Sequence, residues 1–225
     1  DALSLGDEGF DALLMPEMVR LPALTPDRVE PLAAALARGL RDGFPFEVAP
    51  MAGGDHIFVC VHAARDERCG AWGPLLVEAL EREIVAQGAI ARIYRTSHVG
   101  GHKYAATCIV YPQGIWYGNL RPHDAPRLVR EQLNQEQLLP DFYRGRLGLS
   151  FSAQVVEGTA ATHLARAYGR FEGLDVSVRE ALSEGWAAGR ARALVPTGEG
   201  WQPVSLLVNL SLEQGRWQVE AVEQE

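Results

Sequence analysis

Hydrophobic and polar positions follow a regular pattern along the first two thirds of the chain, and this pattern predicts a series of helices and strands. Apolar residues at helical spacing predict a helix that Thr25 or Asp27 caps and that ends at Gly43. The apolar, β-branched run at 57–61 predicts a buried strand, and the amphipathic stretch from Leu75 to Gly88 predicts a helix. The same criteria predict three more strands and a closing helix, at 89–94, 104–111, 115–120 and 126–138.

The predicted order is strand, helix, strand, long loop, two strands joined by a turn, and helix. A βαβ unit followed by ββα is the arrangement of thioredoxin-like α/β domains. The sequence therefore predicts this fold for residues 1–140, with residues 1–25 as an arm that lacks a periodic pattern. Residues 141–225 are predicted to be a small α+β accessory domain, with helices and alternating strands at 154–168, 176–182, 190–195, 204–210 and 217–222.

Composition and charge narrow the classes of function. A formal net charge of −8 and a pI near 5.3 disfavour general nucleic-acid binding and favour a protein partner with a basic docking patch. No apolar run reaches the ~18 residues of a membrane span, and no basic segment followed by an apolar stretch opens the chain. Three cysteines are too few for a disulfide framework. We therefore expect a cytoplasmic protein without membrane association. The sequence leaves open whether it forms a homo-oligomer.

Four potential metal ligands lie in two loops that the predicted sheet brings together. Cys60 ends the first strand and Cys69 follows nine residues later, whereas His98 and His102 flank two glycines after the second strand. Because these strands are neighbours in a thioredoxin-like sheet, both loops open at one end of the domain. Two consecutive glycines disfavour a helix and allow positive φ, so the backbone can wrap closely around a group. Two thiolates and two imidazoles suit either tetrahedral zinc or a [2Fe–2S] cluster, and the spacing leaves both open.

Other polar residues near these ligands can be interpreted in two ways. His62, Arg65 and Asp66 either shape the ligand loop, through a salt bridge or by orienting a histidine, or form an ordinary polar loop. The cations next to Cys69 favour its thiolate form, whereas a cysteine such as Cys60 at the end of an apolar strand is most often an inert core residue. Structural roles are predicted for the remaining cysteine and histidines, which are Cys108, His56, His123 and His163.

Three stretches of the sequence, at 56–70, 97–105 and 111–118, resemble the sucrase/ferredoxin-like family, whose members have a thioredoxin-like ferredoxin fold. The resemblance implies a [2Fe–2S] cluster bound by Cys60, Cys69, His98 and His102, and a role in electron transfer with an unidentified redox partner protein. It favours iron–sulfur over zinc, which remains the alternative as a structural or interaction module.

Two enzymatic readings are disfavoured. No pair of carboxylates framed by a sugar-binding cleft is evident, so sucrase activity is not expected. A thiol–disulfide oxidoreductase usually has two cysteines close together at the start of a helix, and the longer spacing between Cys60 and Cys69 counts against it.

Overall fold

The computed structural model describes residues 9–40, 43–148, 151–181, 186–213 and 216–224. In chain order its elements are β1 (Phe10–Leu14), β2 (Val19–Leu24), α1 (Pro26–Ala37), β3 (Ala49–Pro50), β4 (Asp55–Cys60), α2 (Glu67–Gln87), β5 (Ala91–Thr96), β6 (Cys108–Tyr111), β7 (Ile115–Tyr117), α3 (Ala125–Arg127), β8 (Tyr143–Arg146), α4 (Phe151–Tyr168), β9 (Glu172–Ala181), β10 (Trp186–Thr197), β11 (Gly200–Glu213) and β12 (Arg216–Gln224). Short 3-10 turns occupy His102–Tyr104 and Pro122–Asp124, and a π-helical segment, Leu128–Leu133, continues α3.

A five-stranded mixed sheet in the order β5-β4-β6-β7-β8 forms the centre of the α/β part. β4 and β5 are parallel and joined by α2, and the other neighbours are antiparallel. Buried residues of β4, such as Ile57 and Val59, belong to one core cluster with Leu76 and Leu80 of α2. This βαβ unit followed by an antiparallel hairpin is the predicted thioredoxin-like α/β arrangement, so the fold class is confirmed.

α2 begins eight residues before its apolar pattern does. Asp66 caps the helix, because its carboxylate accepts a hydrogen bond from the backbone N–H of Arg68 at 2.9 Å. The first two turns contain two glycines, a cysteine and a single large apolar residue, Trp72, so they show no apolar periodicity. The strands predicted at 104–111 and 115–120 are shorter than expected; the first starts only at Cys108, because residues 102–104 form a 3-10 turn.

Two predictions about the outer parts of the chain are wrong. The described part of the supposed arm contains β1 and β2, an antiparallel pair that β3 extends to a three-stranded sheet. The helix predicted at 176–182 is the strand β9 as far as Ala181, and Leu182 lies outside the described residues. β9 pairs with β10, and its half-buried residues alternate at Leu174, Val176 and Val178, the period of a strand. The predicted helix at 154–168 and the last three strands are confirmed.

α4 joins the two sheets through a buried polar contact. The helix packs against the four-stranded sheet β12-β11-β10-β9 and also against β8. Its Glu157 is fully buried, accepts a hydrogen bond from the Tyr143 hydroxyl and lies 2.8 Å from the guanidinium of Arg146. Burial raises the pKa of the Glu157 carboxyl, while the bond from Tyr143 and the charge of Arg146 act in the opposite direction.

The division at residue 140 stays a prediction, although β8, which follows it, pairs with β7 of the first sheet. Within the described ranges, no helix is both long and apolar enough to cross a membrane.

Candidate metal centre

Cys60 and Cys69 meet at the point where β4 ends and α2 begins. Both are 1% exposed, and the Cys69 thiol hydrogen-bonds to the Cys60 sulfur. Ala105 completes this small buried cluster, and Val99 packs against it from the loop after β5. The structure thus brings together the two predicted sulfur ligands in an apolar pocket closed to water.

Two glycines allow the first turns of α2 to approach the end of β4 and the loop that follows it this closely. A Cβ atom on Gly73 would lie 2.2 Å from the carbonyl oxygen of Cys60, and one on Gly70 would lie 2.4 Å from the Cβ of Ala63. Neither position therefore has room for a side chain. The spacing between Cys60 and Cys69 depends on backbone contact as much as on the cysteines themselves.

Burial keeps the metal-free thiol protonated. It is the largest cause that raises the pKa of Cys69 to about 12, and the hydrogen bond to Cys60 adds to it. The charge of Arg68 lowers this pKa only slightly, and the Arg68 guanidinium lies 2.8 Å from the Asp66 carboxylate, which neutralises it. The expectation that nearby cations make Cys69 a thiolate is therefore wrong for the metal-free chain.

The histidine loop approaches the cysteines, but only part of it is described. His98 is half-buried, and its neighbour Val99 touches the cysteine cluster. Gly100 and Gly101 have φ of 90° and 61°, as the paired glycines predict. The side chain of His102 lies outside the described residues. Among the side chains that are described, no group of three or more His, Cys, Asp or Glu could hold a metal ion, so coordination by both histidines stays a prediction.

The polar loop between the cysteines is folded around His62. The carbonyl oxygen of His62 accepts hydrogen bonds from the backbone N–H groups of Arg65 and Asp66, at 3.3 Å and 3.2 Å. Asp66 forms a salt bridge with Arg68, whereas Arg65 is exposed. The role of His62, Arg65 and Asp66 in shaping the ligand loop stays a prediction. The Nδ1 atom of His62 is buried and has no hydrogen-bond partner among the described residues.

The hydroxyl of Thr107 is also buried and has no hydrogen-bond partner in the described structure. The backbone carbonyl of Thr107 accepts a hydrogen bond from the backbone N–H of Cys60 at 3.0 Å. Buried polar groups are normally paired, so these orphaned atoms of His62 and Thr107, in segments that adjoin Cys60, and the two buried thiols fit a site for a bound group. Two thiols suit either zinc or a [2Fe–2S] cluster.

Two residues beside the cysteines were not singled out from the sequence. The Arg121 guanidinium donates a hydrogen bond to the carbonyl of Ala105 at 3.0 Å and lies 4.9 Å from the centre of the Trp72 ring. Trp72 could have been noticed, because it follows Cys69 by three residues and thus shares its helix face. Arg121 has no local signal, since its contacts come from segments far away in sequence. Two of the residues predicted to be structural have that character: Cys108 is fully buried in the core, and His56 bonds to Tyr94 and a backbone carbonyl.

Comparisons with known proteins find a matching family and several similar proteins. The profile of the family described as Sucrase/ferredoxin-like matches residues 4–145. Altered inheritance of mitochondria protein 32 from Clavispora lusitaniae is 33% identical over 95 residues, covering 41% of this chain and 35% of that protein. The protein of the same name from Eremothecium gossypii is 36% identical over 108 residues, covering 42% of this chain and 33% of that protein. The chain thus spans about a third of the length of these curated relatives.

Among solved structures, the thioredoxin-like [2Fe-2S] ferredoxin from Aquifex aeolicus is similar over 42% of this chain and 100% of its own. The sequence identity is 21% and the TM-score is 0.36.

Proposed function

Because the chain belongs to the sucrase/ferredoxin-like family, we propose that it is an electron-transfer protein with a [2Fe–2S] cluster held by Cys60, Cys69, His98 and His102. The observation that carries this proposal is the contact between two buried thiols beneath the loop that contains His98. When bound, such a cluster accepts and donates single electrons, and two imidazole ligands in place of thiolates raise its reduction potential.

The residues of this chain have separate tasks in the proposed centre. Cys60 and Cys69 supply the sulfur ligands and release their protons on ligation, since only thiolates bind metal. Ala105 and Val99 keep water away from the sulfurs. His98 and His102 supply neutral nitrogen ligands, and the second ring nitrogen of a ligating imidazole can exchange a proton. Electron transfer is therefore coupled to pH in this proposal.

The partner and the location belong to the same proposal. The net charge of −8 supports a redox partner protein with a basic docking surface, and no role with nucleic acid or membrane is proposed. Three free, buried cysteines support a reducing compartment, for which cytoplasm is the default. Since the name of the relatives refers to inheritance of mitochondria, cell fractionation should compare cytosolic and mitochondrial fractions.

The test is anaerobic reconstitution with iron and sulfide, followed by quantification of both against protein. The wild-type chain should bind two irons and two sulfides, absorb visible light and give an EPR signal on reduction. Cys69→Ala should lose the cluster. Cys108→Ala is the matched control, because Cys108 is equally buried but its side chain belongs to the main core cluster and not to the cysteine pair, and it should keep the cluster. Equal iron content in the Cys69→Ala protein would show that the ligand assignment is wrong.

Exchange of the histidines tests the other half of the ligand set. His98→Cys and His102→Cys should each retain a cluster with a lower potential and a flatter pH dependence, because a thiolate adds negative charge and removes a protonatable ring. One zinc per chain, with no colour and no redox response, would replace the proposal by a structural zinc module. Insulin reduction that persists without both histidines would instead favour a thiol–disulfide oxidoreductase.

A further inference from the structure

A cavity of about 810 Å³ lies between the turn that carries Tyr104 and the surface of α4. One wall is formed by Tyr104 and by Arg144 of β8, and the other by a helical face that includes Thr159, His163 and Arg166. This volume lies within the range of about 300–1,000 Å³ that is typical of sites for small organic molecules.

The charge of this cavity is opposite to that of the whole protein. Two arginines and a histidine line it, and the lining that the structure describes contains neither aspartate nor glutamate. The chain as a whole carries −8. Because a concave surface with one sign of charge concentrates ions of the opposite sign, the cavity attracts anions in spite of the acidic surroundings.

Within the described ranges, the groups that hold Arg144 in place are all neutral. Its guanidinium donates hydrogen bonds to the carbonyl oxygens of Tyr143 and Asp141, at 2.7 Å and 3.2 Å, and lies 4.7 Å from the centre of the Tyr104 ring. Its Nε atom is buried without a hydrogen-bond partner among the described residues, and burial lowers the pKa of the guanidinium. A partly desolvated cation without a carboxylate partner is unfavourable, and a bound anion would remove that penalty.

We propose that this cavity binds a small organic anion that carries phosphate or carboxylate groups. Arg144 and Arg166 supply the charge, and the Thr159 hydroxyl and the His163 ring supply further polar contacts. Tyr104 lies in the same 3-10 turn as His102, so the anion would lie beside the loop of the candidate metal centre. The anion site is independent of the cluster and is tested on the metal-free chain.

The experiment measures binding of pyrophosphate and of citrate to the full chain by isothermal titration calorimetry, with glucose as the neutral probe and ionic strength held constant with sodium chloride. Pyrophosphate, citrate or both should bind, glucose should not, and the tighter anion identifies the charged group. Arg144→Gln and Arg166→Gln should each weaken binding by at least about tenfold, the effect of losing one charge-assisted hydrogen bond. Arg192→Gln is the control, because Arg192 is an exposed arginine of β10 outside the cavity.

Three results would overturn the proposal: neither anion binds, both cavity variants bind as tightly as the wild type, or Arg192→Gln weakens binding as much as the cavity variants do. Arg166 is exposed, so its variant is expected to fold even if Arg144→Gln does not. Because the readout is anion affinity without iron, failure here leaves the proposed electron-transfer function untouched.

Discussion

Replacing Gly73 by alanine separates the effect of helix propensity from the close contact that brings the two cysteines together. In an open helix interior, Gly→Ala stabilises by about 1 kcal/mol. At Gly73 the new Cβ would lie 2.2 Å from the carbonyl oxygen of Cys60, whereas ordinary contacts begin near 3.4 Å. The start of α2 must therefore move away from β4 by roughly 1 Å.

The two effects oppose each other, and the contact should dominate. Overpacking of this kind costs about 1–3 kcal/mol, so the net loss in the free energy of unfolding should be as much as ~2 kcal/mol. The displacement matters more for the site than for stability. Metal–ligand distances tolerate deviations of only about 0.2 Å, so a shift of Cys69 relative to Cys60 should reduce iron loading strongly.

Urea unfolding of the metal-free proteins and iron content after reconstitution measure both consequences. Gly198→Ala is the control, because a Cβ at Gly198 meets no atom within 4 Å and its φ is not in the left-handed region. It should change stability by less than about 0.5 kcal/mol and load iron normally. If Gly73→Ala is as stable as the wild type and binds as much iron, the close contact does not set the geometry of the cysteine pair.

Three further variants test the buried polar groups by urea unfolding. Glu157→Ala should lower the free energy of unfolding by about 3–5 kcal/mol, because it leaves Arg146 without its buried partner. The control Asp11→Ala removes an exposed ion pair and should lower it by at most about 1 kcal/mol. Equal losses in the two variants would contradict the buried role of Glu157. Burial raises the folded-state pKa of Glu157 above its ordinary 4.5, so the folded chain binds the extra proton and this contribution to stability is lost as pH rises through that folded-state pKa. The stability of the wild type relative to Glu157→Gln should therefore fall from pH 4.5 to pH 7, and a rise would refute the sign. Tyr117→Phe should lower the free energy of unfolding by about 1–3 kcal/mol, since the fully buried hydroxyl donates to Gln132 and accepts from a backbone N–H. A loss below about 0.5 kcal/mol would show that Gln132 and this N–H find other partners.

The sequence predicts well those elements whose buried residues form a recognisable apolar pattern within the element itself. β4 was predictable because its apolar, β-branched residues are buried, and its end at Cys60 located the first candidate ligand. The juxtaposition with Cys69 followed from the neighbouring positions of a strand end and a helix start. Gly70 and Gly73 carry no such signal, because their effect is a close approach to Ala63 and to the carbonyl oxygen of Cys60.

Other features depend on partners that are distant in sequence. β9 resembles a helix in isolation and becomes a strand because β10 provides hydrogen bonds along it. β1 and β2 are short, and their small sheet is completed only by β3, twenty-five residues after β2. The raised pKa of Cys69 likewise arises from burial, which the sequence does not indicate because charged residues stand next to this cysteine.

The pairing of β8 with β7 determines how short a version of this protein can be. If the chain stopped at residue 140, β7 would become an open edge, and its unpaired N–H and C=O groups would be free to recruit a strand from another molecule. The family match reaches residue 145, one residue before β8 ends. A fragment meant to carry the cysteine pair by itself must therefore extend beyond Arg146, or it is expected to self-associate.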